Sequence, residues 1–395
     1  MTKDVDLVRN VFIVGSKGIP AAYGGYETFV DRLTGQHEHD EHIRYHVACK
    51  GHAVDEYEYN GARCFQVKVP DLGSAQAIYY DVAALLACLR YVKKNQIECP
   101  IVYILACRIG PVIALIRWRV HKLGGTLLVN PDGWEWKRTK WSALIRRYWK
   151  LSEKLMVRSA DLIVCDSKTI EAYINDEYRK LHPNTKYISY GAEVHDTRTM
   201  LSSQDVRPWF TDRDLTSGSY YLIVGRFVPE NNYEVAIREF IQSQTTRKLV
   251  IITDPNSPYY EDLKKSTGFE SDSRIIFAGT VYDQTLLAEI RRHAFAYLHG
   301  HEVGGTNPSL LEALGSTRLN LLLDVGFNRE VAQDGALYWN KRPGNLSALI
   351  QRVEDLEEKD IDSLAERAKN RIATEYTWEL IADRYKELFL STDGR

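Results

Sequence analysis

The sequence has no excess of either charge. Its 51 Lys+Arg stand against 53 Asp+Glu over 395 residues, which excludes a protein whose whole surface binds nucleic acid and confines any basic site to a local patch. Its six cysteines, Cys49, Cys64, Cys88, Cys99, Cys107 and Cys165, show no metal-ligand spacing and all lie in the first half, several of them inside apolar runs. That pattern fits free buried thiols in a reducing compartment, not a disulfide framework. No apolar run reaches the length needed to cross a bilayer and no signal peptide opens the chain, so a cytoplasmic protein is expected. The compact dinucleotide fingerprint G-x-G-x-x-G is missing after both strands that open an alternating segment, which argues against a dehydrogenase.

What is present is alternation. Apolar runs at Val11 to Val14, Ile43 to Ala48, Cys64 to Val67, Ile101 to Leu105, Thr126 to Val129 and Leu162 to Cys165 read as strands. Helical patterns separate most of them: Ala75 to Lys94, Pro111 to Leu123, Ser142 to Arg158 and Ser167 to Asn175. Such order predicts a mainly parallel sheet covered on both faces, with ligands outside the carboxyl ends of its strands. The loops to watch are Gly15 to Gly25, Ala106 to Gly110 and Asn130 to Arg138. A polar stretch from Glu193 to Ser219 then breaks the pattern as a linker, and alternation restarts with Tyr220 to Val224, a helix from Tyr233 to Gln244, and strands at Leu249 to Thr253, Ile275 to Ala278, Ala294 to Leu298 and Leu319 to Leu323. Two domains follow, since one core rarely serves this length: residues 1–205, residues 206–375, and an amphipathic segment at 376–395 that crosses back to the first.

Local chemistry concentrates in His299 to Ser316, HGHEVGGTNPSLLEALGS. Asn307 is placed to cap a helix with Pro308 at its first position. Gly304 and Gly305 before the cap let backbone approach a ligand, and a helix start offers N–H donors and a positive dipole end. Glu312, one turn in, can accept hydrogen bonds from sugar hydroxyls. This reads as phosphates at the helix start and ribose on the carboxylate. A loop-to-helix junction without a ligand fits the same fragment.

The order of elements, with GRFVPENN, FAGTVYD and GGTNPSLLEALGS, resembles the GT-B glycosyltransferases and, within them, the large retaining family four. KGIPAAYGGYETFV, NPDGWEWKR and ISYGAE resemble more narrowly the bacterial rhamnosyltransferases of cell-wall and capsular polysaccharide assembly. The resemblance implies two doubly wound α/β domains facing across a cleft, the first taking the acceptor and the second the donor. Glu312 matches the second glutamate of the family's paired motif, which holds the ribose; the first glutamate's position is Gly304, with Glu302 two residues before it as a candidate substitute. Arg226 matches the arginine on the donor diphosphate, and the lysine expected five residues later is Asn231. The resemblance puts the base on backbone near Val281 and Tyr282. It also makes Gly18, Gly24, Gly25, Gly305, Thr306 and Asn307 donor contacts, and Tyr23, Tyr26, Glu27, Asp132, Glu135 and Arg138 acceptor contacts.

Retaining transfer on such a site rests on stabilising the leaving group and positioning the acceptor. Arg226, Asp132 and Glu302 are the catalytic candidates. Asp132 sits where a carboxylate can orient a hydroxyl, and a plain Pro-Asp-Gly turn is the other reading. His299 and His301 are placed to line the sugar pocket. No metal or cofactor is expected; the donor is dTDP-β-L-rhamnose. Between Trp134 and Arg158 lie eight Lys/Arg, four Trp and two acids, which suits an anionic membrane surface and a lipid-diphosphate-linked sugar acceptor; a solvated helix with its tryptophans turned inward fits as well. No nucleic-acid motif accompanies the cluster. Three functions remain: rhamnosyl transfer to a lipid-linked glucose or N-acetylglucosamine at the inner face of the membrane, another sugar-nucleotide enzyme such as a UDP-hexose transferase or epimerase, or a non-catalytic nucleotide-binding scaffold.

Overall fold

A computed structural model of the chain describes residues 8–21, 24–51, 55–71, 73–138, 141–194 and 206–392. The chain divides into two compact units, Met1–Gly191 with Trp378–Arg395, and Ala192–Thr377. The division falls earlier than the 205/206 boundary expected from the polar stretch, because strand pairing and packing, not polarity, decide where one unit ends. The expected linker residues 195–205 lie outside the described residues.

The first unit carries strands β1 (Arg9–Val14), β2 (Ile43–Gly51), β3 (Glu56–Tyr59), β4 (Ala62–Lys68), β5 (Ile101–Leu105), β6 (Thr126–Asn130), β7 (Leu162–Cys165) and β8 (Thr185–Tyr187). They form one sheet in the order β3-β4-β2-β1-β5-β6-β7-β8, parallel except where β3 runs antiparallel to β4. The helices are α1 (Gly25–Gln36), α2 (Gln76–Lys94), α3 (Gly110–Lys122), α4 (Ala143–Ser159) and α5 (Lys168–Glu177). Strand residues alternate between faces. Phe12, Val14, Val102, Ile104, Leu127 and Val129 meet the buried sides of α2, α3 and α4. Tyr103 and Tyr45 on the other face meet Tyr385 and Phe389 of the C-terminal segment. Burying one such large side chain contributes about 1.5–3 kcal/mol, which is why the central strands read as unbroken apolar runs. Of the six cysteines, all free, only Cys99 is not buried.

The second unit holds β9 (Tyr220–Val224), β10 (Lys248–Ile252), β11 (Ile275–Gly279), β12 (Ala296–His299), β13 (Leu319–Leu323) and β14 (Leu337–Trp339). Its helices are α6 (Arg207–Thr211), α7 (Tyr233–Gln242), α8 (Pro258–Thr267), α9 (Gln284–His293), α10 (Pro308–Ser316), α11 (Gly326–Ala332), α12 (Asn345–Glu354) and α13 (Glu358–Glu375), and α14 (Trp378–Ser391) returns to the first unit. The sheet order is β11-β10-β9-β12-β13-β14, all parallel. Tyr221, Ile223, Leu249 and Leu321 pack against α7 and α12 on one face. Tyr220, Leu222, Val250 and Tyr297 pack against α6 and α9 on the other.

Both sheets reverse direction of growth beside their first strand, between β1 and β5 in one unit and between β9 and β12 in the other. In doubly wound sheets the crevice outside the strand ends at that reversal is where ligands bind. No helix among the described residues is long and apolar enough to cross a membrane.

Candidate functional site

In the second unit the reversal is flanked by the loops that follow β9 and β12. Arg226, two residues past β9, is exposed and makes no ion pair among the described residues. Its carbonyl accepts from Val228 N at 3.0 Å and from Asn231 Nδ2 at 2.8 Å. Asn231 therefore pins the loop that presents Arg226; it is buried and offers no cation. Asn232, in a left-handed conformation with φ 57°, donates from Nδ2 to Gly300 O at 2.8 Å and to Glu302 Oε2 at 3.2 Å. Glu302 N donates to Glu230 O at 3.1 Å, so the two loops are stitched together.

Glu302 is held by a partner that the sequence did not disclose. Lys341, beyond β14, donates to Glu302 Oε1 at 2.7 Å. Burial raises the Glu302 carboxyl, and hydrogen bonds from Lys341 and Asn232 outweigh it and hold it below the ordinary value. At neutral pH Glu302 is an ion-paired carboxylate. The Cβ that a glutamate would bring to Gly304 has no atom of the described residues within 4 Å, although the backbone there has φ +140°.

Asn307 caps α10: its Oδ1 accepts from Ser309 N at 2.9 Å and Leu310 N at 3.4 Å, and Pro308 has no N–H. The donors of the first helical turn are thus consumed internally. An anion at this end draws on the helix dipole and on backbone of the loop at Gly304, Gly305 and Thr306, the last of which is buried. Asn307→Asp keeps the cap and adds a favourable charge–dipole term, so stability should hold within about 0.5 kcal/mol. A nucleotide diphosphate at this end should bind that variant more weakly, on the order of tenfold, through charge repulsion. Isothermal titration with donor nucleotides checks both, and equal affinity for the two proteins removes the anion from the helix start.

Glu312 points to a buried cation. Arg291 Nη2, at the end of α9, lies 2.5 Å from Glu312 Oε2, with side chains 4% and 32% exposed respectively. The same nitrogen is 3.3 Å from Ser309 Oγ, which in turn meets Tyr297 OH at 3.0 Å. Tyr297 OH donates to Val224 O at 3.1 Å. This chain of contacts fixes α10 against the ends of β9 and β12 and orients one Glu312 oxygen, leaving the partly exposed carboxylate available to a hydroxyl. Sequence reading missed Arg291, because the run Arg291-Arg292-His293 at a helix end looks like a solvated, dipole-compensating terminus.

His299 is buried, stacks on His301 with ring centroids 4.2 Å apart, and its Nε2 has no hydrogen-bond partner among the described residues. Burial pushes its pKa down to about 3, so the ring is neutral. The folded state refuses a proton that the unfolded state accepts below pH about 6.5. Stability from this residue is present above that pH and is lost as pH falls toward about 3, by on the order of 4 kcal/mol. Urea unfolding of wild type and His299→Phe across that window checks this, with the variant expected to lose less stability on acidification. Val281 and Tyr282 follow β11, two strands from β9. Val281 packs with the apolar cluster and Tyr282 is exposed.

In the first unit the loops after β1, β5 and β6 converge. Gly15 has φ +112°, and a Cβ there would stand 2.3 Å from Leu105 O, so β1 and β5 approach as only glycine permits. Arg108 fastens the junction: Nη1 donates to Gly15 O at 2.9 Å, Asp81 Oδ2 at 3.2 Å and Leu105 O at 3.3 Å. Asp81 is fully buried, which raises its pKa to about 6 against the opposing pull of Arg108. Sequence reading flagged the Ala106 to Gly110 loop without singling out its arginine.

Glu27 Oε1 accepts from Lys17 N at 2.7 Å, and a side chain on Gly24 would strike Glu27 Oε2. Gly18 lies against Cys49 in the same way, and Gly25 opens α1. These glycines serve the packing of the loop. Tyr26 OH donates to Asn130 Oδ1 at 3.4 Å, and burial, then Asp132 and Asp166, push its pKa well up. Asp132 has φ 58°, its N donates to Asn130 Oδ1 at 2.8 Å, and its Oδ1 accepts from Gly133 N at 2.9 Å. One oxygen thus makes the Pro-Asp-Gly turn and Oδ2 is left over. Tyr26, Asn130 and Asp132 are brought together. Glu135 and Arg138 pair with each other, and Trp141 Nε1 donates to Glu135 Oε1 at 2.9 Å, so this pair braces its own turn. Tyr23 lies outside the described residues.

Residues 8–193 match the family model described as a domain of unknown function, DUF1972, a little under half of the chain. No curated protein matches it. Among solved structures, sucrose-phosphate synthase from Thermosynechococcus elongatus is 17% identical with a TM-score of 0.75, covering 97% of this chain and 100% of that one. Anabaena HepE in complex with UDP is 13% identical at TM-score 0.71, over 98% and 100%. The α,α-trehalose 6-phosphate synthase of Burkholderia multivorans is 10% identical at TM-score 0.72, over 98% and 97%. The fold is GT-B. Both sheets of this GT-B chain are mainly parallel and doubly wound, as its alternating sequence predicts, and the second unit's residues after β9 and β12 sit at the strand ends where such sheets take ligands.

Proposed function

We propose that the chain is a sugar-nucleotide glycosyltransferase that moves L-rhamnose from dTDP-β-L-rhamnose to a lipid-diphosphate-linked glucose or N-acetylglucosamine. Transfer proceeds with retention and forms a β-1,4 bond, in cell-wall or capsular polysaccharide synthesis at the cytoplasmic face of the membrane. The observation that carries the reading is the grouping at one sheet reversal of exposed Arg226, the glycine turn with its capped helix, and the oriented Glu312. Arg226 and the helix dipole offset the diphosphate charge, and Glu312 takes the ribose.

In the reaction the bond from the sugar's anomeric carbon to the diphosphate oxygen breaks and one to the acceptor oxygen forms on the same face. The acceptor's proton goes to the departing phosphate oxygen, and nucleoside diphosphate is released. Charge on the leaving group grows along this path, so the cation that meets it stabilises the transition state more than the ground state. Asp132 Oδ2 and Tyr26 orient the acceptor hydroxyl. Glu302, held ionised by Lys341, faces the sugar carbon's developing positive charge.

A second reading, transfer of a hexose from UDP-sugar, draws on HepE, which was solved with UDP. A melting-temperature screen with dTDP-, UDP- and GDP-sugars separates the two, because a ligand that binds only the folded state raises the transition. dTDP-rhamnose should give the largest rise. A larger rise with a UDP-hexose selects the second reading, and no rise with any donor leaves a scaffold.

A further inference from the structure

Of the ten large hydrophobic side chains exposed among the described residues, six stand on three successive helices of the first unit: Tyr79 on α2, Val112, Leu115 and Trp118 on α3, Leu144 and Leu151 on α4. These helices form one layer over the sheet. Leu144 is 76% exposed, Trp118 57%, Leu151 52% and Leu115 51%, values that a water-facing helix seldom gives to its leucines and tryptophans in a cluster. The three side chains of α3 recur every third residue and so share one face, and the two of α4 are seven apart and share another. The faces adjoin. Gly110, at the start of α3, packs on Ser152 with its N–H 2.8 Å from Ser152 Oγ, two residues from Val112 and one from Leu151.

The charge on this layer has one sign. α2, α3 and α4 carry three, three and five Lys/Arg, against one acid on α2, none on α3 and one on α4. Both acids, Asp81 and Glu153, are buried and engaged, Asp81 by Arg108 and Glu153 by Lys150, Tyr173 and Tyr178. The solvent side of the layer thus shows cations with no exposed carboxylate on its helices, in a chain whose net charge is −2. Arg147, Lys154 and Arg158 are exposed and have no ion pair among the described residues. Lys122 Nζ lies 5.4 Å from the Trp118 ring centroid.

We infer that the outer surface of α2, α3 and α4 docks on an anionic lipid bilayer, with Trp118, Leu144 and Leu151 entering the headgroup boundary and the cations meeting lipid phosphates. Apolar tips ringed by cations are what such an interface takes up. A nucleic acid offers phosphates but no apolar bed for the two leucines. The surface differs from the one expected from sequence in two respects. Trp134, Trp136, Trp141 and Trp149 are all half-buried, with Trp134 packed in a core cluster, and the exposed tryptophan is Trp118. Lys150 is 2.9 Å from Glu177 Oε1 and 2.5 Å from Tyr173 OH, so its charge is already engaged by neighbouring side chains. The inference deepens the proposed function by naming where the acceptor's lipid lies.

The test is co-sedimentation of the full chain with phosphatidylcholine vesicles, with and without phosphatidylglycerol, free of any sugar acceptor. Wild type should sediment with the anionic vesicles only, and less as salt rises. Arg147→Ser with Lys154→Ser and Arg158→Ser should cut partitioning roughly a hundredfold at low salt. Trp118→Ser with Leu144→Ser and Leu151→Ser should cut it by about tenfold or more, at unchanged melting temperature. Wild type left in the supernatant overturns the inference, as does wild-type partitioning by either triple variant. Loss in the charge variant alone, with wild type retaining a single-stranded oligonucleotide on a filter, makes the layer a polyanion site and also overturns it. Because no acceptor is present and each variant's donor-induced melting shift is read in parallel, failure here is distinct from failure of the transferase reading.

Discussion

Arg226→Ala is expected to lower kcat by roughly a hundredfold to a thousandfold, the range found when a preorganised group aimed at developing negative charge is removed. Donor affinity should fall much less. The asymmetry follows from position: the Arg226 side chain is exposed and unpaired within the described protein, so it pays no internal partner when it turns to the diphosphate, and its loop is fixed by the Asn231 amide on its own carbonyl. The lysine that the resemblance leads one to expect at Asn231 is absent, which concentrates the role in one cation. Steady-state kinetics resolve the point. If kcat is kept and only the donor KM rises, Arg226 binds ground state and transition state alike, and the mechanism loses its main electrostatic element.

The second large effect belongs to Glu312→Gln, which should act on both stability and binding. Arg291 is almost wholly buried and Glu312 is its ion-pair partner. Breaking a buried pair from one side costs about 3–5 kcal/mol when both ends are dry. The Glu312 end is a third exposed, and solvent screening reduces the expected loss to about 2 kcal/mol. Donor binding should weaken by a further 1.5–3 kcal/mol or so, the range for a hydrogen bond to a charged group. Pairing the variant with Arg291→Met in a double-mutant cycle separates the two. Much of the stability loss should return in the double variant, while the binding loss should not. Unchanged donor affinity in folded Glu312→Gln takes this carboxylate out of the ribose site.

The parts of the fold that were legible were those in which local pattern and tertiary environment agree. Ile101–Leu105, Leu162–Cys165, Tyr220–Val224 and Leu319–Leu323 are buried on both faces, so each appears as a short apolar run with polar or glycine punctuation, and each has the bounds its pattern predicts. β3, β8 and β14 were not legible. They are three or four residues long and lie at sheet edges, and β3, Glu-Tyr-Glu-Tyr, has no apolar aliphatic side at all.

The site shows the same divide. Asn307 was visible as a cap because capping is local. Arg291, Lys341 and Arg108 were not, because each reaches its partner across the fold: Lys341 meets Glu302 from beyond β14, and Arg108, in the loop between β5 and α3, meets Asp81 on α2. The tryptophans between Trp134 and Trp149 misled for a related reason. Their count was local information, but the surroundings of the Trp134 and Trp136 rings are set by Tyr173 of the neighbouring α5 and by Lys137 and Lys150, which lie over them.

Transfer itself is the most direct measurement. Purified protein is given dTDP-rhamnose labelled in the sugar and a lipid-diphosphate-linked N-acetylglucosamine or glucose, and the label in the lipid fraction and the anomeric configuration of the product are read. Lipid-borne rhamnose in a β linkage is expected, matched by released dTDP and lost in Arg226→Ala. Label that stays in the donor with every lipid acceptor, from protein whose melting temperature the same donor raises, would contradict it.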